Sequence, residues 1–228
     1  MSKQNILVIA AHPDDEILGA GGAIARHIEE EDNVRVLILG EDISSRAGVP
    51  RERIEREQKK LYACSQKALK FLGAGAPVQK SLPDNAFDSV PLLSVVHGIE
   101  AVMKEMQPHI VYTHHGSDVN VDHRITSDAV LTAVRPAKDG SVMEVRAFEV
   151  PSSTEWNFTR PLFRPQVFVG LTEAQLKKKI AAMRAYRSEI RSFPHPRSAE
   201  YLEALARVRG GQAGFPAAEA FELVYRRV

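Results

Sequence analysis

The sequence predicts an α/β fold in three layers, with a mostly parallel sheet between helices on both of its faces. Over the first two-thirds of the chain, short apolar and β-branched runs alternate with longer amphipathic segments, as in parallel strands joined by crossover helices. At 228 residues, of which 44% are hydrophobic, the chain can bury one substantial core. Because no long linker or internal repeat interrupts it, we predict a single domain over residues 1–228.

The elements of the first two-thirds follow from periodicity and from glycine and proline near their ends. Pro50 and Pro91 suit the first turn of a helix, and Gly73 suits the residue just beyond a helix end. The predicted strands are residues 5–11, 34–39 and 109–113, and the predicted helices are residues 16–30, 50–73, 91–106 and 125–134.

The C-terminal third is predicted to be less regular. Thr172 and Gln175 form a capping-box pattern that begins a helix, and the three lysines at 177–179 are expected to form a solvated face of it. The predicted elements are strands at residues 143–150 and 166–169, a helix over 172–192, and a last helix between residue 198 and the Gly210-Gly211 pair.

The composition excludes several classes of protein. A formal net charge of +1 provides no general attraction for nucleic acid or an anionic membrane, so neither is an expected partner. The single cysteine, Cys64, excludes an intramolecular disulfide and suits a reducing compartment. No signal-peptide pattern is present, and no run approaches the ~20 apolar residues of a membrane span. We therefore predict a cytoplasmic protein.

A histidine and three acids directly follow the first predicted strand. His12, Asp14, Asp15 and Glu16 stand where a buried strand ends and a helix begins. So much negative charge at one strand end is unfavourable unless a cation binds there. A divalent metal ion is the simplest such cation.

A second polar loop, residues 114–123, follows the strand predicted at 109–113. In an open parallel sheet both loops lie beyond the carboxyl ends of their strands, at the same edge. Catalytic zinc sites use three nitrogen or oxygen ligands and an exchangeable water. His12 and Asp15, three residues apart across a turn, and His123 from the second loop are the predicted ligands.

Two acids beside these ligands have predicted roles of their own. Asp14 can accept a proton from water that the metal has made more acidic. Asp122, next to His123, can orient the imidazole of a ligand through a hydrogen bond.

Simpler explanations compete with these assignments. Asp14 and Asp15 could cap the helix N-terminus, although capping does not explain His12. The two histidines at 114–115 also suit a metal, but we expect them only to line the sheet edge. The glycines within 19–22 lack the spacing of a dinucleotide-binding loop, and the preceding acids would repel a pyrophosphate. Close packing of the helix on the sheet explains these glycines.

The strand, the HPDDE motif at 12–16 and the later Asp-His pair at 122–123 resemble the PIG-L/LmbE-like zinc-dependent deacetylases. The resemblance covers most of the chain in element order, and segments 153–157 and 194–198 resemble a bacterial branch of the family. It implies a Rossmann-like fold and hydrolysis of the acetamide of N-acetylglucosamine-type sugars. It implies His12, Asp15 and His123 as the metal ligands and Asp14 as the general base.

The sequence departs from this family at Asn120. Many members have a histidine at that position, three residues before the last metal ligand, which is assigned to stabilise the oxyanion or protonate the amine. An asparagine amide can donate to an oxyanion but cannot transfer a proton near neutral pH. The acid is then Asp14 itself or His195, and we favour Asp14, with His195 assisting.

The predicted activity is metal-dependent removal of an acetyl group from an N-acetylglucosamine-type sugar or conjugate. Arg46, Asp84 and Arg197 are candidate sugar contacts, because hydroxyl-rich substrates need charged hydrogen-bond partners. Zn²⁺ is the predicted ion and Fe²⁺ or another divalent metal the alternative, since two nitrogens and an oxygen suit several metals. The alternative functions are a non-catalytic sugar- or nucleotide-binding protein on the same fold and a metal hydrolase of a different amide. A homo-oligomer is compatible with the sequence.

Overall fold

Parallel strands form the centre of one sheet, and helices cover both of its faces. The structure is a computed structural model that describes residues 3–41, 50–136 and 140–228. Within these residues the strands are β1 (Asn5–Ala10), β2 (Asn33–Gly40), β3 (Val78–Leu82), β4 (Ile110–His114), β5 (Glu144–Phe148), β6 (Val167–Gly170) and β7 (Ala218–Arg226). The helices are α1 (Asp15–Glu29), α2 (Arg51–Leu72), α3 (Leu92–Met106), α4 (Val121–Ala133), α5 (Glu173–Met183) and α6 (Ala199–Ala213).

The strand order is β3-β2-β1-β4-β5-β7-β6, which places β1 and β4 near the centre. The first five strands in this order pair in parallel, and β7 runs antiparallel between β5 and β6. The order changes direction between β1 and β4, where open α/β sheets bind ligands beyond the strand ends. The predicted three-layer α/β fold is therefore confirmed. Among the described helices, none has the length and apolarity to cross a bilayer.

Strand β1 is buried on both faces. Ile6 and Val8 face the core beneath α1, α2, α5 and α6, whereas Leu7 and Ile9 face the core beneath α3 and α4. Each of the four is at most 1% exposed. Burial on both faces explains why the strand is a continuous apolar run instead of an alternating one.

The glycines of α1 let this helix lie close to the sheet. A Cβ at Gly19 would lie 2.3 Å from the ring of Phe148, and one at Gly22 would lie 2.4 Å from Leu171. No side chain fits at either distance, so the packing explanation is confirmed for Gly19 and Gly22.

The prediction of a solvated lysine face was wrong for Lys179, which is buried. Its Nζ donates to the Leu18 carbonyl at 2.8 Å and to Glu219 Oε1 at 2.6 Å. Glu219 in turn accepts from the backbone N–H groups of Gly22 and Ala23 at 2.8 and 2.7 Å. Lys179 lies on the side of α5 that packs against α1, so the ion pair is inserted between two helices and β7.

Two strands were not predicted, and three helix ends differ from the prediction, since α4 begins at Val121 instead of residue 125. β3 is a short edge strand with polar residues, and β7 mixes two glutamates with small and large apolar residues without a regular alternation, so neither has a strong strand pattern. α5 ends at Met183 instead of near residue 192. α6 continues through the Gly210-Gly211 pair and ends at Ala213, with Gly214 as its C-cap at a φ of 76°. Gly210 is needed inside the helix because a Cβ there would lie 2.6 Å from Ala217 Cα.

Candidate metal centre and active site

The loops after β1 and β4 meet at one edge of the sheet. The two strands are adjacent and parallel, so the chain leaves both in the same direction. His12 and Asp15 lie at the turn from β1 into α1, and His123 lies in the first turn of α4. All three side chains are buried. The structure therefore brings together the three predicted metal ligands.

The three potential ligands have the spacing of a small ion's coordination shell. Asp15 Oδ2 lies 3.5 Å from His12 Nδ1 and 3.2 Å from His123 Nε2, and one ligand atom of each residue lies within 4.8 Å of the others. Donors bound tetrahedrally at ~2.0–2.1 Å from zinc are about 3.3 Å apart. Two imidazoles and one carboxylate also match the donors of catalytic zinc sites, so the residues fit a divalent metal.

His12 also belongs to a second group of potential ligands, with Asp84 and Asp122. Its Nε2 lies 2.9 Å from Asp122 Oδ2 and 3.7 Å from Asp84 Oδ1. The shorter contact is a hydrogen bond in which the imidazole donates, because a carboxylate can only accept. Asp122 thus contacts the imidazole of His12 and not that of its neighbour His123. It is itself held by the N–H of Phe87 at 3.0 Å.

Asp118 occupies the corresponding position at His123 and was not predicted. Its Oδ1 lies 3.2 Å from His123 Nδ1. It accepts hydrogen bonds from the Ser153 hydroxyl and, at 2.6 Å, from Thr154 Oγ1. Burial disfavours its charge, but the hydrogen bonds and the charge of His123 outweigh burial and lower the Asp118 pKa to about 2. Each imidazole therefore meets a buried carboxylate through the nitrogen that faces away from Asp15, as metal-binding histidines commonly do.

Opposite charges face each other at the centre of the site. Burial alone would lower the pKa of His123, but the charges and hydrogen bonds of Asp15 and Asp118 raise it to about 9. Burial would raise the pKa of Asp15, yet the charge of His123 and hydrogen bonds from His12 and His123 hold it well below its usual range.

His114 lies beside this group as a neutral ring. Burial holds its pKa well below the usual value, and its Nε2 accepts from the N–H of Ala11 at 2.8 Å. The ring stacks on His123 with a centroid distance of 4.0 Å. Its neighbour His115 points elsewhere and binds Glu222 at 2.8 Å. Neither histidine belongs to the group formed by His12, Asp15 and His123.

Asp14 occupies the N-cap position of α1 with a strained backbone. Its φ is 111°, a region that residues other than glycine rarely adopt, and its side chain makes no cap hydrogen bond. Its Oδ2 lies 3.1 Å from Arg197 Nη1. Ser152, with a φ of 76°, accepts from Nε of the same arginine at 2.7 Å. Such conformations cost ~1–3 kcal/mol each and cluster at functional sites.

Glu16 supports the turn rather than the ligand group. Its Oε2 accepts from the N–H of Asp14 at 3.0 Å, and its Oε1 accepts from the Tyr186 hydroxyl at 2.5 Å. Burial raises the pKa of Glu16 to about 7.

Asn120 is the N-cap of α4. Its Oδ1 accepts from the N–H of Asp122 at 2.8 Å, and its Nδ2 lies 3.5 Å from Asn85 Oδ1. Asn85 donates to Asp84 at 2.9 Å, so the predicted sugar contact Asp84 lies in the same corner. Because the amide oxygen is used in capping, only the NH₂ group of Asn120 remains to donate.

The remaining predicted residues lie at the margin or outside the described part of the chain. His195 is half-buried, and its Nδ1 accepts from the N–H of Arg197 at 3.1 Å. Arg46 lies outside the described residues. Asp118 could have been suspected as an acid in the loop after β4, whereas nothing in the sequence indicated the roles of Ser153 and Thr154.

Comparison with known proteins gives one family match and several deacetylases. Residues 7–134 match the family described as PIG-L, GlcNAc-PI de-N-acetylase. The chain is 27% identical over 191 residues to the uncharacterized deacetylase YaiS of Escherichia coli strain K12, covering 82% of this chain and 92% of YaiS. It is 31% identical over 156 residues to a 1D-myo-inositol 2-acetamido-2-deoxy-alpha-D-glucopyranoside deacetylase of Rhodococcus erythropolis. That match covers 58% of this chain and 53% of the relative, so the chain spans about half of its length.

Solved structures share the fold at low sequence identity. The N,N'-diacetylchitobiose deacetylase of Pyrococcus horikoshii has a TM-score of 0.76 and 16% identity, over 96% of this chain and 83% of that one. The 4-carboxy-2-hydroxymuconate hydratase GalB of Pseudomonas putida KT2440 has a TM-score of 0.75 and 23% identity, over 99% of this chain and 98% of that one. Since one fold serves a deacetylase and a hydratase, this likeness concerns architecture alone.

Proposed function

The chain belongs to the PIG-L family, and from that premise we propose that it is a metal-dependent hydrolase acting on the acetamide of an N-acetylglucosamine-type sugar or conjugate. The observation that supports this best is the group formed by His12, Asp15 and His123 beside Asp14. The names of two relatives also favour it, since both are deacetylases and one acts on an acetamido sugar. The reaction consumes the amide and water and releases acetate and a protonated amine.

His12, Asp15 and His123 are the residues that would hold the cation, with Zn²⁺ as the first choice. When bound, such an ion polarises the amide carbonyl and makes a water molecule more acidic. Asp122 and Asp118 fix the two rings through His12 Nε2 and His123 Nδ1. Each ring therefore keeps its second nitrogen near Asp15, where it would be available to hold the cation.

Asp14 is the proposed proton carrier. Its carboxylate takes one proton from the attacking water and returns it to the amide nitrogen as the C–N bond breaks. The contact with Arg197 and the strained backbone hold the carboxylate in one orientation. Asp14 is again a carboxylate when acetate and amine leave.

The contacts of His195 favour Asp14 over the imidazole as the acid. His195 Nδ1 accepts a backbone hydrogen bond, so protonating that nitrogen would break it. Burial and the charges of Arg197 and Arg191 also lower the pKa of His195. Its role as an acid is therefore not retained in the proposal. The NH₂ group of Asn120 is the proposed donor to the oxyanion.

The test measures metal content and acetate release on the same purified protein. We expect about one divalent ion per chain, and loss of acetate release from N-acetyl sugars on chelation, restored by Zn²⁺. Asp14→Asn should retain the ion and lower kcat about 100-fold or more, because a positioned base contributes roughly 10²–10⁴-fold. Asp128→Asn, on the exposed side of α4, is the matched control.

Each alternative function gives a different result in this experiment. A binding protein without catalysis would hold a sugar and release no acetate from any of the N-acetyl compounds. A hydrolase of another amide would release a different acid. Full activity of Asp14→Asn, or of the metal-free wild type, would contradict the proposed mechanism.

A further inference from the structure

A second cavity borders the candidate active site on the side of the loop after β5. It measures about 220 Å³ and is lined by Ser152, Trp156, Arg191, His195 and Arg197. Arg197 forms the boundary with the site, because its Nη1 contacts Asp14 while its Nε contacts Ser152. A group bound in this cavity would therefore lie next to the proposed reaction centre.

The polar groups of the cavity are arranged as donors. His195 accepts at Nδ1 from the N–H of Arg197, so its proton is on Nε2. The Ser152 hydroxyl oxygen accepts from Arg197, which leaves its own hydrogen to donate. The indole N–H of Trp156, which is 44% exposed, can only donate. No carboxylate is among the residues that line the cavity.

Arg191 adds a positive charge that is not neutralised locally. Its guanidinium donates to the backbone carbonyls of Ser188 and Ile190. Among the described residues no carboxylate lies within ion-pair distance of it. Trp156 packs edge-on against His195 at 6.1 Å between ring centroids and supplies an apolar wall. The cavity thus combines a cation, several donors and one aromatic surface.

On the premise of the proposed function, we infer that this cavity binds a negatively charged oxygen-rich group of the substrate, a carboxylate or a phosphate ester next to the N-acetyl sugar. A neutral hydroxyl group needs an acceptor as well as a donor. The acceptors of the site, Asp84 and Asp122, lie instead at Nε2 of His12. The hydroxyl-rich ring therefore suits that corner, and an anionic substituent suits the cavity.

The test compares three substrates that differ only in the group on the anomeric oxygen. These are the methyl glycoside, a carboxymethyl glycoside and the 1-phosphate of N-acetylglucosamine, each assayed by acetate release. At low salt we expect KM for one or both charged compounds to be roughly 10- to 100-fold below that of the methyl glycoside, as for hydrogen bonds to charged groups. The advantage should shrink with added salt. The preferred anion, carboxylate or phosphate, is the one with the lower KM.

Variants assign the effect to the cavity. Arg191→Gln should remove most of the advantage by raising KM for the charged compounds, while Arg191→Lys should keep part of it because the charge remains. Arg184→Gln, an exposed arginine on the same segment, should leave the advantage intact.

The outcomes that contradict this inference differ from those that contradict the proposed function. Equal KM for the neutral and charged compounds, or an advantage that survives Arg191→Gln, would overturn the anion site and leave the deacetylase intact. Absence of acetate from all three compounds would instead overturn the proposed activity.

Discussion

The buried ion pair between Lys179 and Glu219 should be a main determinant of stability. Both side chains are about 5% exposed, and they join α5 to β7 and to the middle of α1. The Leu18 carbonyl and the Gly22 N–H are the two partners of one ordinary helical hydrogen bond. Here each also has a partner outside the helix, Lys179 for the carbonyl and Glu219 for the N–H. The pair is therefore bonded to α1 in the turn from Leu18 to Gly22, where Gly19 and Gly22 leave no room for a Cβ.

Lys179→Met removes the positive charge at similar volume and leaves Glu219 buried without its counter-charge. Breaking a buried pair in this way costs roughly 3–5 kcal/mol. Because Glu219 keeps the N–H groups of Gly22 and Ala23, we expect the lower end, about 3 kcal/mol. In a protein of this size 1 kcal/mol shifts Tm by roughly 2–4 °C, so Tm should fall by about 6–12 °C.

Urea unfolding followed by circular dichroism measures the loss. Lys178→Met is the matched control, because Lys178 and Glu29 form an ion pair at 2.7 Å in which each side chain is 40% exposed. Such surface pairs contribute at most about 1 kcal/mol. The double variant Lys179→Met/Glu219→Gln should be more stable than Lys179→Met alone, since it also removes the buried negative charge of Glu219. A loss at Lys179 no larger than at Lys178 would refute this reasoning.

Two further predictions concern carboxylates near the site. Asp118→Asn should weaken metal binding roughly 10- to 100-fold, because it removes the partner of the His123 imidazole. Competition with a chelator measures this, and an affinity equal to that of Asp128→Asn would contradict it. For His115 and Glu222, burial opposes both charges, but their mutual hydrogen bond raises the His115 pKa and lowers the Glu222 pKa. Their stabilisation is complete between the unfolded values of about 4.3 and 6.5. It is lost as pH rises through the raised His115 pKa, or falls through the lowered Glu222 pKa. The difference in unfolding free energy between wild type and Glu222→Gln should peak near pH ~5–6, and a flat profile would count against the pair.

The parts that the sequence predicts well are those that depend on neighbours in the chain. β1 is a continuous apolar run, and the acids after it are too concentrated for a strand end without a cation. His123 could be paired with them because β1 and β4 are parallel, which brings their following loops to the same edge. The sequence does not show which carboxylate forms a hydrogen bond with which imidazole. Asp122 turned out to contact His12, across the two loops.

The parts that were missed depend on residues far apart in sequence. The sequence predicts Lys179 to be exposed with its two neighbouring lysines, because its partner Glu219 lies in β7, 40 residues away. Asp118 gains its importance from Ser153 and Thr154, which belong to the loop after β5. Neither relation leaves a local pattern, because hydrophobic periodicity records which face of an element is buried and not which polar group meets it.

Contacts with sequence neighbours and with distant residues together explain how the acids of the HPDDE segment are accommodated at the end of β1. Five buried aspartates converge there, Asp14, Asp15, Asp84, Asp118 and Asp122, in addition to Glu16. Within the described residues, Arg197 offsets Asp14 and a protonated His123 offsets Asp15 and Asp118, which leaves the negative charge in excess. Burial makes that excess costly unless a cation joins the group. The residues that destabilise the metal-free chain are thus the ones that would bind the ion, so metal affinity and stability should be coupled in this fold.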